Sequence, residues 1–475
     1  MSPTGTKSAQ HAPRGRTNSP DTRLTIRRRT SPVSTKRMAD RAAFVCLLLT
    51  TITLLLRPTD WFSQPVNWPL YEGLILAAVV LAAVSLKRHY TLHSLKRQPI
   101  SLCMLGLLAA AMLSHLSHSY LHGAAEAGMT IAKVLVYYSL IVCLVDTPRR
   151  FHQFLTVTAA SSGLMVSLCV VDYLGLIDLG FINHLNAREG IDVAGNGLRV
   201  MRLLGTGIFH DPNDMAMLIV ATGVMCWCLL TRRRSGAIRW AWLVPLAFLA
   251  VGLVLTRSRG GLLAGFVAVL TVVTLQYGKK AAVLGMIAGG VALPLLAGRQ
   301  GEIDLGGGTG HERILLWREG LTAMCSSDAL FGIGQGTYND LAGLVAHNSF
   351  VHTFVELGLF GGTLFFGCFF FAALGLHRMA SPRVCTEHSE LARLRPYMAG
   401  ILTGWCVSML SLSRCYVPPT YMVVGMSAAY LNLVNRSAIA SQPLLRFDRK
   451  HVILLATSSM LLLASLFVVV KMFAR

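Results

Sequence analysis

Two arginines one residue apart, in Leu255-Thr256-Arg257-Ser258-Arg259-Gly260-Gly261, stand between two apolar runs with almost no loop to hold them. Guanidinium groups at a membrane interface cost free energy unless they snorkel to water or meet an anion. An anion is the simpler partner, because guanidinium forks onto phosphate oxygens and a helix starting at Gly261 adds partial positive charge. Gly260 and Gly261 let a backbone or a phosphate come close. Contact with lipid headgroups is the plainer alternative.

A second basic group lies in Gly310-His311-Glu312-Arg313-Ile314-Leu315-Leu316-Trp317-Arg318-Glu319-Gly320. Ile314, Trp317 and Leu321 recur at i, i+3 and i+7, which predicts an amphipathic helix lying on a membrane surface. Arg313 precedes that apolar face by one residue, so spacing leaves it a cavity or solvent. The glycines of Phe331-Gly332-Ile333-Gly334-Gln335-Gly336 match a phosphate loop in composition alone, since no strand precedes them. His347, in Ala346-His347-Asn348-Ser349, falls at the mouth of a helix that Asn348 or Ser349 can cap. A histidine there can take a proton from a hydroxyl near neutral pH, with capping as its alternative use.

The stretch Arg202-Leu203-Leu204-Gly205-Thr206-Gly207-Ile208-Phe209-His210-Asp211-Pro212-Asn213-Asp214 ends in a tight helix start set by Pro212 and Asn213. Asp211 and Asp214 either hold a divalent cation or orient Arg202 and its neighbours, and orientation is preferred. Lys133 lies inside an apolar run, where it is expected to face the bundle interior or a wet cavity. There it would pair with an acid such as Asp172 or reach a ligand phosphate.

What must position these residues is a set of membrane helices. Hydrophobic residues are 53% of the 475 and charged residues 14%, against roughly 25% charged in a soluble domain. Apolar runs at 42–56, 69–86, 100–116, 127–145, 151–174, 213–230, 238–255, 260–276, 281–297, 350–376, 396–413, 418–434 and 451–472 are each near the ~20 residues a spanning helix needs. They predict an all-α polytopic bundle of 12 to 13 transmembrane helices. The weakest run, 418–434, is short and starts with Pro418 and Pro419, so re-entry is its alternative, and the side of the C-terminus depends on it.

A net charge of +21 would suggest nucleic acid in a soluble protein. Here the cations gather in every second loop, as positive-inside topology requires, with the N-terminus in the cytoplasm. No nucleic-acid partner is expected; the partner is the lipid bilayer. Residues 1–41, rich in Ser, Thr, Pro and Arg without apolar periodicity, read as a disordered basic cytoplasmic tail. Then follow N-terminal helices over 42–174, a long outer loop over 175–212, a core over 202–376 that includes a second long outer loop over 298–349, and C-terminal helices over 396–475. Outer loops should be poor in cations, which makes Arg188, Arg199, Arg202, Arg257, Arg259, Arg299, Arg313, Arg318 and Arg414 the informative exceptions. The eleven cysteines show neither CxxC pairs nor zinc spacing and read as small core residues.

In order and spacing over about Arg202 to Gly362, these stretches resemble the O-antigen ligase and polymerase family. The resemblance rests on the Gly207 to Asn213 run, the Ser-Arg-Gly-Gly turn at 258–261, Arg313 with Trp317, the Gly332-Ile333-Gly334 stretch, and His347-Asn348-Ser349 leading into Glu356-Leu357-Gly358. It implies a metal-independent, inverting glycosyltransferase of a bacterial inner membrane, with no cofactor. The donor would be a polyprenyl-diphosphate-linked glycan and the acceptor a hydroxyl on glycan, lipid or protein, met at the outer face. Arg259 and Arg313 would contact the donor diphosphate and His347 would activate the acceptor. Arg257, Arg202 and Lys133 are further candidates for the diphosphate, while Asp211, Asn213, Asp214, Asn348 and Glu356 would support the site. Ligation to lipid A core, polymerisation of repeat units and transfer to protein all fit. A transporter or flippase of an anionic lipid-linked substrate, or a non-catalytic envelope assembly protein, are the alternatives. A transporter would spread charge through the membrane midplane and repeat its architecture.

Overall fold

The computed structural model describes residues 32–61, 69–182, 184–191, 197–297, 309–326, 328–380, 389–437 and 443–474. Ala39–Arg475 form one compact unit. Of the expected tail, residues 1–31 lie outside the described residues, and from Pro32 onward the chain is already helical.

The helices, in chain order, are α1 (Pro32–Leu56), α2 (Leu70–His89), a short α3 (Leu92–Lys96), α4 (Pro99–Leu116), α5 (Leu121–Leu144), α6 (Pro148–Tyr173), α7 (Pro212–Leu230), α8 (Leu243–Leu255), α9 (Arg259–Tyr277) and α10 (Lys279–Ala297). They continue as α11 (Thr309–Ser326), a short α12 (Tyr338–Ala342), α13 (Ser349–Arg378), α14 (Ser389–Met409), α15 (Pro418–Ser437) and α16 (Arg449–Phe473). Among the described residues, ten helical segments are long and apolar enough to cross a membrane, and α10, α14 and α15 match them in length at 19, 21 and 20 residues. The protein is an all-α polytopic membrane protein. The weakest run in the sequence, 418–434, lies in a 20-residue helix, Pro418–Ser437, buried from Pro419 to Leu431 and again at Leu433 and Val434.

Five of the long helices start where a side chain caps them. Thr147 before Pro148, Asp211 before Pro212, Ser258, Asn348 and Asp448 each accept a first-turn N–H with a side-chain oxygen. Lipid offers helices no hydrophobic drive to associate, so close packing of small residues does that work. A Cβ on Gly400 would lie 2.5 Å from Val272, and one on Gly404 2.9 Å from Val220, so α14 fits against α9 and α7 only with glycine at those positions. Interhelical hydroxyl pairs such as Thr51 with Tyr137 (2.9 Å) and Ser101 with Tyr138 (2.8 Å) add to this, each worth on the order of 0.6 kcal/mol in a bilayer.

Within the first long loop, β1 (Leu185–Ile191) and β2 (Gly197–Arg202) pair as an antiparallel hairpin, with Leu185 opposite Arg202. One expectation changes: the amphipathic helix α11 does not rest on lipid alone. Ile314, Trp317, Leu321 and Met324 pack with Val351, Phe354 and Val355 of α13 and with Leu463, Leu466 and Val470 of α16. The glycines at 332–336 have a structural use. Gly358 bends α13 with φ 64, and the freed ladder is completed by the preceding loop. Ile333 and Gly334 donate to the carbonyls of Val355 and Glu356 (3.0 and 3.1 Å), while Leu359 and Phe360 donate to Ala329 and Leu330 (2.8 and 3.1 Å). A Cβ on Gly332 would sit 2.3 Å from the Glu356 carbonyl carbon. The bent helix therefore needs glycine on both sides of the contact.

Candidate functional site

The starts of α7, α9 and α13 and the end of α14 meet at one end of the bundle, and side chains tie them together. Asp211 caps α7 by accepting the Asn213 N–H at 2.7 Å. The Ser258 hydroxyl, which accepts the Gly261 N–H at 3.0 Å, donates to Asn213 Oδ1 at 2.7 Å, so the caps of α7 and α9 are linked. Asn348 Oδ1 accepts from Phe350 and Val351 at the start of α13. Beside it, Ser349 donates to the Leu412 carbonyl at 2.5 Å and accepts the Arg414 N–H at 2.8 Å. The Arg414 guanidinium then forks onto Asp214, with Nε to Oδ1 at 2.5 Å and Nη2 on Oδ2. Asp214 is buried, with 1% of its side chain exposed. That pair fastens the 410–417 connection to the first turn of α7.

His347 stands in the middle of these ends. Its φ of 49° is left-handed, an uncommon conformation for a residue with a side chain, and it turns the chain just before the α13 cap. Trp317 of α11 donates its indole N–H to the Ala346 carbonyl at 2.7 Å, which holds the preceding peptide. The ring is half-buried, and the charges that act on it are Arg313, Asp211, Arg414 and His352. Burial holds its pKa below the ordinary histidine value, the guanidinium groups of Arg313 and Arg414 and the ring of His352 push the same way, and Asp211 opposes them. Among the described residues no hydrogen bond occupies the His347 ring. Arg313, also half-buried, lies under the influence of Asp211 and Arg202; burial lowers its pKa and Asp211 opposes. For Arg414 burial works against the charged form, but the grip on Asp214 prevails and raises its pKa.

The turn at 255–261 joins from the side. Arg202 Nε donates to the Thr256 carbonyl at 3.0 Å and the Leu203 N–H to the Leu255 carbonyl at 3.1 Å, which lays the end of β2 along the turn. Arg257, with φ 50, and Arg259 are exposed there. The close approach that Gly260 and Gly261 permit is made by the protein itself. A Cβ on Gly261 would lie 2.4 Å from Ala216 of α7, and one on Gly260 2.5 Å from the Ser411 hydroxyl.

Of the residues singled out in the sequence, His347, Arg313, Arg202, Asp211, Asn213, Asp214 and Asn348 come together, with Arg257 and Arg259 on the adjoining turn. Two do not belong to this cluster. Lys133 is exposed on α5 rather than turned into the bundle, and the acid expected to pair with it, Asp172, is taken by His184 at 3.0 Å. A long cationic stem can reach the interface along a helix surface without a buried partner. Glu356 is fully buried one turn beyond His352, where Oε1 accepts the Tyr338 N–H and meets His352 Nε2, both at 3.0 Å. Asp214 orients Arg414, not Arg202 as expected, and Arg414 is the principal residue the sequence reading left undeveloped. The only signal for it was its place among cations in cation-poor loops. Both Asp214 oxygens are engaged by Arg414, and no group of three metal-ligating side chains occurs among the described residues.

Compared with protein-family models and with curated proteins, the chain matches none.

Proposed function

We propose that this end of the bundle transfers a glycan from a polyprenyl diphosphate to an acceptor hydroxyl, at the outer face of a bacterial inner membrane. The observation that carries this reading is one half-buried histidine with no internal hydrogen bond among the described residues, faced by Arg313, Arg414 and Asp211. Neutral His347 takes the acceptor proton as the acceptor oxygen attacks the anomeric carbon. The bond from that carbon to the diphosphate oxygen breaks, and the lipid diphosphate leaves with the electron pair. Arg313, Arg202 and the Arg257 and Arg259 turn offer cations for the charge that grows on it, and the starts of α9 and α13 add partial positive charge. Attack from the face opposite the leaving group inverts the anomeric centre. A depressed pKa suits the base, because it stays unprotonated beside cations at neutral pH.

The test is release of lipid diphosphate and growth of acceptor-linked glycan by membranes carrying His347→Ala, Arg259→Ala or Arg313→Ala, each inserted at wild-type level. His347→Ala is expected to lose about 10² to 10⁴ in rate. Full activity in all three variants would remove the basis for a transferase.

A further inference from the structure

At the opposite end of the bundle, the starts of α6 and α14 and the end of α7 surround a second cationic cavity. α6 separates the two ends: its 26 residues rise about 39 Å at 1.5 Å each, from Pro148 to Tyr173, whose hydroxyl donates to the Met201 carbonyl beside Arg202. The cavity measures about 590 Å³, and Arg149, Arg232 and Arg234 form its mouth. Leu48 and Val157 continue it as an apolar wall.

Among the described residues, a single carboxylate serves this group. Glu390 lies 3.8 Å from Arg232 Nε, 3.7 Å from Arg234 Nε, 3.5 Å from Arg393 Nε and 3.2 Å from His152 Nε2. The arginine distances are too long for hydrogen bonds. The Nε atoms of Arg232 and Arg393 are buried without a hydrogen-bond partner among the described residues. His152 lines the cavity, is 5% exposed, and its Nδ1 is likewise unpartnered among the described residues. Among the described residues, four guanidinium groups against one carboxylate leave an excess of positive charge, and orphaned N–H donors gain from any acceptor that reaches them.

We infer that this cavity binds the phosphate of an anionic membrane lipid, its headgroup on Arg149, Arg232 and Arg234 and its acyl chain along Leu48 and Val157. Phosphate chemistry follows from converging guanidinium forks. The apolar wall favours a lipid over a free anion, and the uncompensated charge favours an anionic lipid over a zwitterionic one.

The test uses the full-length protein in neutral detergent, with unfolding midpoints followed as phosphatidylglycerol, phosphatidylcholine or inorganic phosphate is added. Phosphatidylglycerol is expected to raise the midpoint saturably and phosphatidylcholine to leave it unmoved. Arg149→Gln with Arg234→Gln, both exposed positions, should weaken the apparent affinity at least tenfold without changing the lipid-free midpoint. The control pair Arg88→Gln with Arg233→Gln removes the same charge from exposed positions that do not line the cavity, and should retain full affinity. Equal responses to the two lipids, equal losses in the two double variants, or a phosphate response matching that of phosphatidylglycerol would each overturn the lipid site.

Discussion

Two arginines meet two aspartates at the His347 end of the bundle, and the encounters finish differently. Arg414 closes on Asp214 through two hydrogen bonds, and the pair joins the end of α14 to the start of α7. Arg313 is drawn toward Asp211 but forms no ion pair with it among the described residues, while Asp211 already holds the Asn213 N–H. In one place the guanidinium donors are consumed by the fold. In the other they stand half-buried beside an unoccupied imidazole, with capacity left for an anion. Identical groups thus serve architecture or chemistry according to how much of their bonding the protein has already used.

The comparison breaks first at Arg414. Arg414→Ala leaves the buried Asp214 carboxylate alone, which should cost about 3–5 kcal/mol of stability. Its effect should appear as a lowered unfolding midpoint and poor accumulation in membranes. A variant that accumulates and unfolds like wild type would show that the closed pair is not structural. Arg313→Ala should do the reverse, keeping its unfolding midpoint while turnover drops about 10² to 10³, the range for loss of one donor that stabilises developing charge. If its midpoint falls as far as that of Arg414→Ala, the two arginines do not differ in kind. A smaller loss is expected from Gly332→Ala, where φ is 79 and the added methyl meets the α13 backbone. Strain there should cost about 1–3 kcal/mol, read as destabilisation, with turnover per folded molecule kept if the glycine stretch only braces the bend.

Spans and helix starts were legible because they are local properties. Apolar length predicts a crossing, and Pro212 after Asp211, or Asn348 before Ser349, predicts a cap from neighbouring residues alone. Pairings were not legible. Arg414 finds its carboxylate 200 positions away, and nothing near either residue states which cation Asp214 will take. Glycine was ambiguous for a similar reason: Gly260 and Gly261 read as room for a backbone or a phosphate, yet the room is filled by Ser411 and by Ala216 of α7, contacts that exist only once the helices pack. For Lys133, expected in the bundle interior or a wet cavity, helix rotation set by the packing of α5 decides which way it faces, and it lies exposed.

The finest test of the comparison uses His347 as the reporter. Its pKa is held down first by burial and then by Arg313, and it is held up by Asp211. A base must be unprotonated, so turnover should persist above the folded pKa and be lost as pH falls through it, with the acid limb below the ordinary histidine value. Arg313→Gln removes a cation that disfavours the imidazolium, raises the pKa, and should move that limb to higher pH. Asp211→Asn removes an anion that favours it, while the amide oxygen can still accept the Asn213 N–H, so the limb should move to lower pH with the α7 cap kept. The acid limb of lipid diphosphate release, measured in the residual activity of both variants, reads the two signs directly. Opposite shifts would mean that the charges left open at this end act on the imidazole itself. Coincident limbs would remove His347 as the titrating group and leave the contrast with Arg414 without a chemical meaning.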